Sequence, residues 1–323
     1  MSDDASLDPP MMPLRVTRND PIADGIHLFE FQGPAGGPLP EFSAGAHVAV
    51  RTPNGVIRKY SLCNDPAERD RYQVAVKRET SGSGASGDLI DRTKAGDTVM
   101  IGAPVNVFAL PPRAQNFLFI AGGIGITPIM SMVRQVHRAG KRFRLIYIAP
   151  SPELAPFRDD LSAPELRDFV TIHYDHGDPA RGFDFGPYLK ERQNREHLYC
   201  CGPRPLMETV RALTDHWSPA ALHFEAFAPA AKPPGGDRAF RVTLAKSGRT
   251  LDVPADRSIL DVLREAGLAV PSSCETGTCG TCRVKVLAGA VDHRDLVLSH
   301  AEKATTMMIC VSRAEGDELT LDR

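Results

Sequence analysis

The stretch Cys274-Glu275-Thr276-Gly277-Thr278-Cys279-Gly280-Thr281-Cys282 decides the reading of the chain, and a solitary Cys310 follows it. The spacing is C-x₄-C-x₂-C, and the gap before Cys310 is long enough for a strand, a hairpin and a helix. Four thiolates in this order are the plant-type ligand set of a [2Fe–2S] cluster. Gly277 and Gly280 let the loop fold tightly around two irons and turn backbone N–H groups toward sulfur, and the small Thr278 and Thr281 leave room for that approach. The alternatives are a structural zinc site, which favours paired C-x₂₋₄-C units, and a disulfide framework. The second pair that zinc requires is missing, because Cys310 stands alone. Cys274, Cys279, Cys282 and Cys310 are therefore the candidate metal ligands. A one-electron centre needs something to load it.

Working outward, 323 residues give room for two or three domains, each with its own core. Lys+Arg 38 against Asp+Glu 40 is close to balance, which argues against nucleic acid or a membrane surface as a partner. No apolar run approaches the roughly 20 residues of a membrane span, and Met1 to Ser6 is acidic and polar, unlike a secretory leader. Seven cysteines, four of them used by one cluster, suit a reducing compartment. The other three, Cys63, Cys200 and Cys201, lie in apolar or glycine-flanked contexts. A soluble, cytoplasmic monomer is expected.

Residues 1–12 carry no periodic pattern and read as a lead-in. From Leu14 on, short alternating runs separated by turns such as Pro53-Asn54-Gly55 point to a small antiparallel barrel ending near Pro111-Pro112. Within it, Arg58 offers a planar fork for phosphate, Tyr60 a flat face for a ring system, and Ser61 a hydroxyl and an N–H. The glycine-rich run Ser81 to Asp88 leads into a short helix at Leu89–Arg92 and can present N–H groups to an anion. Together these features favour a flavin phosphate site.

Next comes an apolar strand, Asn116–Ala121, which runs into Gly122-Gly123-Ile124-Gly125-Ile126-Thr127-Pro128 and a helix from Ile129. Strands at Phe143–Ala149, Val170–Asp175 and His197–Cys201 alternate with helical stretches near Pro156–Leu161 and Tyr188–Arg195. This is the pattern of a doubly wound parallel sheet. Glycine turns at Gly122–Thr127 and Cys201-Gly202-Pro203 mark the crevice where such sheets take nucleotides. A last strand runs from His223 to Phe227. The Pro/Gly/Ala-rich residues 228–237 read as a linker. Two strands, an amphipathic helix from Ser258 with a glycine stop, the cysteine loop and a strand continuing from Cys282 complete the chain, with Cys310 expected on a further strand. The domains expected are 1–112, 113–227 and 238–323.

Several of these motifs together resemble the phthalate dioxygenase reductase family. Ser273–Cys282, Asp292–Leu298 and Met308–Arg313 are similar to its ferredoxin domain. Arg58–Leu62 looks like its flavin motif, Val76–Glu79 and Gly82–Ser86 like its flavin-phosphate loop, and Ala121–Pro128 and Tyr199–Pro203 like its nicotinamide-side turns. The resemblance runs from about residue 14 to the last residue. It implies a flavin-binding barrel, a NAD domain with a doubly wound parallel sheet, and a β-grasp-like ferredoxin domain. The family's loop reads Gly-Arg-Gly-Gly-Ser where this chain has Gly82-Ser83-Gly84-Ala85-Ser86, so Ala85 narrows the backbone choices and Ser83 removes a positive charge. Near the adenine ribose, Glu153 can accept a 2′-OH and no arginine follows closely, which favours NADH over NADPH.

The resemblance implies FMN, with FAD as the alternative, held by Arg58, Tyr60, Ser61, Leu62, Val76, Lys77, Gly84, Ala85 and Ser86. It implies NADH at Gly122, Gly123, Gly125, Thr127, Cys201, Gly202 and Pro203, with Thr127 and Cys201 beside the nicotinamide, Phe227 packing on the flavin ring and Glu225 nearby. Flavin takes two electrons from a hydride and releases one at a time, which is what joins nicotinamide to an iron–sulfur cluster. No His/Cys interleaving of a Rieske centre is present. The implied role is therefore the reductase of a bacterial aromatic-ring or O-demethylating oxygenase, delivering electrons to a separate Rieske-type terminal oxygenase. A haem monooxygenase as partner, or a passive electron carrier or redox sensor, are the competing readings.

Overall fold

The structure is a computed structural model that describes residues 10–79, 84–228 and 236–323. It divides into two compact units, Met1–Phe183 and Asp184–Arg323.

The first unit opens with β1 (Met11–Ala23), which turns at Gly25 (φ 67°) into β2 (Ile26–Gln32). There follow β3 (Ala46–Arg51), β4 (Ile57–Ser61), β5 (Arg71–Lys77), α1 (Ala85–Arg92), β6 (Thr98–Gly102) and β7 (Val105–Asn106). The antiparallel order is β4-β3-β6-β1-β2-β5, with β7 beside β3. A bridge between Leu62 and Val74 joins the two outer strands and closes the sheet on itself. Every second residue faces inward, so Phe29 and Phe31, Val48 and Val50, and Val74 and Val76 fill one core. Each such side chain stabilises the barrel by roughly 1.5–3 kcal/mol. Strand β1 begins inside the stretch expected to be a lead-in. Met11 and Met12 pair with Gly102 and Ile101, a long-range ladder that local composition does not reveal.

The same unit continues with β8 (Asn116–Gly122), α2 (Ile126–Arg138), β9 (Arg142–Ala149), α3 (Arg158–Leu161) and β10 (Val170–Tyr174). These strands are parallel, in the order β10-β9-β8. Strand β8 is buried at every position, as a central parallel strand covered on both faces must be.

The second unit starts with α4 (Gly186–Leu189), then β11 (Glu196–Cys201), α5 (Arg204–Leu213) and β12 (Leu222–Glu225), with β11 and β12 parallel. The helix expected over Tyr188–Arg195 is a single turn. Residues 190–195 are all exposed and have no apolar face to bury, and the indole N–H of Trp217 takes the Leu189 carbonyl at 3.1 Å.

Beyond 229–235, which with 80–83 and 1–9 lie outside the described residues, come β13 (Phe240–Leu244), β14 (Arg249–Val253), α6 (Ile259–Glu265), β15 (Arg283–Ala288), β16 (Val291–Asp292), α7 (His300–Lys303), β17 (Thr306–Met308), β18 (Arg313–Ala314) and β19 (Glu318–Leu321). The mixed sheet runs β14-β13-β19-β15-β17. Helix α6 starts at a reciprocal Ser258–Asp261 cap and buries Ile259, Leu260 and Leu263 in the core shared with Val242, Leu244, Leu319 and Leu321. This is the β-grasp-like arrangement. Cys310 is not on a strand, as expected from sequence, but in the turn after β17. Among the described residues no helix is long and apolar enough to cross a membrane.

Burial fixes the acid limit of both units. Desolvation, then Lys59, lowers His47 to about 4, and desolvation, then His197, lowers His223 to about 4. Their unfolded value is near 6.5, so the unfolded chain binds more protons below that pH. Stability is therefore present above pH ~6.5 and is lost as the pH falls toward ~4, by on the order of 2 kcal/mol per histidine after discounting for solvent access. Urea midpoints at pH 7 and pH 4.5 measure this, and His47→Gln and His223→Gln each flatten the difference.

Candidate functional site

The cysteine loop is shaped by backbone conformation. Gly277 (φ 78°) and Gly280 (φ 79°) are left-handed, and so is Glu275 (φ 57°), whose carboxylate is held by Arg264 at 2.7 Å and Ser272 at 3.0 Å. These turns direct the N–H groups of Thr276 and Thr278 to Cys274 Sγ, each at 3.4 Å, and the Cys274 N–H to Cys279 Sγ at 3.5 Å. The Gly277 N–H meets the sulfur of Cys310. A Cβ on Gly277 would lie 2.7 Å from Val311 Cγ2 and 3.1 Å from Asp295 Cα, so only glycine fits.

The four thiols fall into two mutually interacting pairs, Cys274 with Cys279, whose sulfur takes the Cys274 N–H, and Cys282 with Cys310. The Cys279 thiol, then the Thr278 and Thr276 donors, lower Cys274, and Cys310 likewise lowers Cys282. Among the described residues no three or more His, Cys, Asp or Glu side chains converge on a single ion. Two pairs with N–H donors on sulfur match two irons that each take two thiolates. The residues fit a [2Fe–2S] cluster.

In the first unit, the barrel seam gathers the flavin candidates. Strands β4 and β5 are in contact, and the Leu62–Val74 bridge ties them. Leu62 and Val76 are wholly buried in the barrel core, and the Leu62 N–H donates to the Ala46 carbonyl at 2.8 Å. Arg58 and Lys77 are exposed, and Ser61 is buried. Burial, with a contribution from Glu79, raises Tyr60 to about 12, so its phenol stays a neutral donor at working pH. Gly84 is left-handed (φ 68°) and precedes α1, where Ala85 and Ser86 are buried. The Ser86 hydroxyl accepts from the Glu79 N–H at 2.9 Å, fastening the helix start to the end of β5. Gly82 and Ser83 lie outside the described residues.

Further along the same unit, Gly122 ends β8, and Gly123 (φ 52°) and Gly125 form one turn of 3₁₀ helix. Nothing lies within 4 Å of a Cβ built on Gly123, so the turn is open on that side. Thr127 is buried, and its hydroxyl donates to the Ile124 carbonyl at 3.0 Å. Glu153 opens on a cavity of about 800 Å³ that Arg71, Arg134 and Arg158 also line. The cavity contains none of the flavin or glycine-turn residues. Arg158 lies five positions after Glu153, contrary to the expectation that no arginine is close, but its guanidinium is engaged by Asp159 at 3.0 Å.

In the second unit, Cys201 ends β11 opposite Glu225 on β12, and both are buried. Burial, then Glu225, pushes the Cys201 thiol far up, so it is neutral. Gly202 and Pro203 lead into α5, and Phe227 lies past the end of β12, 52% exposed. Asp295, fully buried beside Gly277 and accepting from the Leu298 N–H at 2.8 Å, belongs to the cluster's surroundings. Its contact with the loop joins residues far apart in sequence and has no local signal.

Two family models match the chain, a 2Fe-2S iron-sulfur cluster binding domain at residues 242–315 and an oxidoreductase FAD-binding domain at residues 13–109. Phthalate dioxygenase reductase from Burkholderia cepacia is 48% identical over 310 residues, 96% of either chain. The chain belongs to the phthalate dioxygenase reductase family. Phthalate 4,5-dioxygenase oxygenase reductase subunit from Pseudomonas putida is also 48% identical, over 100% of both chains. A solved phthalate dioxygenase reductase, described as a modular structure for electron transfer from pyridine nucleotides to [2Fe–2S], matches with a TM-score of 0.69 and covers 97% of this chain and 98% of its own. As a member of this family, the protein is an oxidoreductase with a flavin-binding domain and a 2Fe-2S domain.

Gly277→Ala tests the loop geometry. Left-handed strain of about 1–3 kcal/mol plus the clash with Val311 and Asp295 will loosen the loop. The variant is expected to purify with flavin at the wild-type level and with iron and acid-labile sulfide strongly depleted, as read by metal analysis and visible absorption.

Proposed function

We propose that this chain is the NADH-dependent reductase of a bacterial oxygenase, passing single electrons to a separate Rieske-type terminal oxygenase. The observation that carries the reading is the two thiol pairs with N–H donors on sulfur, in a chain whose family joins a flavin domain to a 2Fe-2S domain. When bound, flavin accepts a hydride from nicotinamide and releases its electrons singly to iron.

The residues take the following roles. Arg58 and Lys77 bring positive charge to an FMN phosphate at Gly84, Ala85 and Ser86. The neutral Tyr60 and Ser61 donate hydrogen bonds to the isoalloxazine, and the backbone of Leu62 and Val76 lines it. Gly122, Gly123, Gly125 and Thr127 form the nucleotide-side turn of the first unit, and Cys201, Gly202 and Pro203 that of the second. Phe227 offers an exposed aromatic face, and burial, with a contribution from Glu225, keeps Cys201 protonated. The Glu153 carboxylate, kept ionised by the Ser151 hydroxyl, accepts a ribose 2′-OH and repels a 2′-phosphate. Cys274 and Cys279 hold one iron, and Cys282 and Cys310 the other. Hydride transfer needs no general acid or base, and none is assigned. We further propose domain limits of 1–112, 113–227 and 238–323 with a 228–237 linker, a monomer, and a cytoplasmic location.

Cys279→Ser separates the two halves of the scheme. Under anaerobic conditions NADH should still bleach the flavin at close to the wild-type rate, while iron–sulfur reduction and one-electron output are lost. A Cys279→Ser variant that keeps both refutes the ligand assignment. Chromatography of the released flavin decides between FMN and FAD.

A further inference from the structure

Helix α5 follows directly on Cys201-Gly202-Pro203 and carries Arg204 and Arg211, seven residues apart and so on one face. Arg204 Nη2 donates to the carbonyl of Arg294 at 2.8 Å, and Arg211 Nη2 donates to the carbonyl of Leu298 at 3.0 Å. Arg204 Nε donates to Glu208 on the same helix at 2.7 Å, and Arg211 Nη1 lies 3.2 Å from Asp215, just past the helix end.

The segment that accepts these bonds is part of the cluster's cradle. Leu296 N–H donates to the Gly277 carbonyl at 3.0 Å, and Asp295 packs against Gly277. Arg294 is itself pinned by Asp292 at 2.6 Å and Asp237 at 2.7 Å. A cavity of about 410 Å³ lies between this segment and the α5 face. Apolar packing therefore does not fill the junction, and the two arginine bonds span it. Donors that are charged make such bonds the stronger kind.

We propose that Arg204 and Arg211 are positioning residues that latch the cluster-cradling segment 294–298 onto the helix following the nicotinamide-side turn and so hold the cluster loop in the geometry that its reduction needs. The inference rests on the electron-transfer reading above. Neither side chain touches the cluster ligands; both act through the Arg294 and Leu298 carbonyls and Gly277.

The test uses the full-length holoprotein with both arginines changed, Arg204→Gln and Arg211→Gln, mixed anaerobically with NADH in a stopped-flow instrument. Flavin bleaching should stay within about twofold of wild type and iron content should be unchanged, while cluster reduction slows by about tenfold or more, since small misplacements carry large rate costs. Arg204→Lys with Arg211→Lys, which keeps a charged donor at each position, should recover part of that loss. Hydrogen–deuterium exchange supplies a readout independent of turnover, with amides of residues 294–298 exchanging faster in the glutamine variant and those of α5 unchanged. Wild-type cluster reduction in the glutamine variant overturns the proposal, as does equal loss of both steps with loss of iron, or unchanged exchange at 294–298. If wild-type protein carrying flavin and iron fails to reduce its cluster with NADH, the functional reading falls instead, and the exchange result still decides the latch.

Discussion

Backbone N–H groups turned onto sulfur are the interaction from which the C-terminal architecture follows. Thiolate charge inside a tight loop has to be met by donors, and the loop meets it with main chain from Thr276, Thr278 and Gly277. That demand fixes left-handed backbone at Gly277, and the resulting close approach admits Asp295 and Val311 against it. Asp295 accepts from the Leu298 N–H, its neighbour Arg294 is paired with Asp237 and Asp292, and the carbonyls of Arg294 and Leu298 accept from the two arginines of α5.

A division of labour between side chain and main chain recurs through the molecule. In the barrel, the Leu62 and Val76 side chains are consumed by the core, while Arg58 stays exposed and Tyr60 is only partly buried. At the turn after β8, the buried Thr127 spends its hydroxyl on the Ile124 carbonyl. The buried thiols of Cys63, Cys200 and Cys201 are all pushed up by desolvation and behave as small apolar groups.

Much of this was legible in the sequence because it rests on local periodicity or on fixed spacing. The alternating runs of the barrel, the apolar β8 strand with its glycine turn, and the C-x₄-C-x₂-C loop each carry their signal within a dozen residues. What escaped was non-local or marginal. Met11 and Met12 are strand only because Gly102 and Ile101 lie opposite. The polar run after Leu189 has helical composition without a face to bury. Cys310 follows a strand-like pattern, yet it turns away from β17 to bring its sulfur to Cys282 and the Gly277 N–H. The roles of Arg204 and Arg211 depend on carbonyls about 90 residues downstream, and no sequence rule pairs a guanidinium with a distant main-chain oxygen.

The account stands on electron pairs entering at a flavin and leaving singly through sulfur-bound iron. Anaerobic reductive titration with NADH, following flavin and iron–sulfur absorption in the same cuvette, measures this most directly. The account predicts that both chromophores bleach and that the end point falls at about 1.5 equivalents of NADH, two electrons for the flavin and one for the cluster. An end point at about one equivalent, with the flavin reduced and the cluster still oxidised, would contradict it.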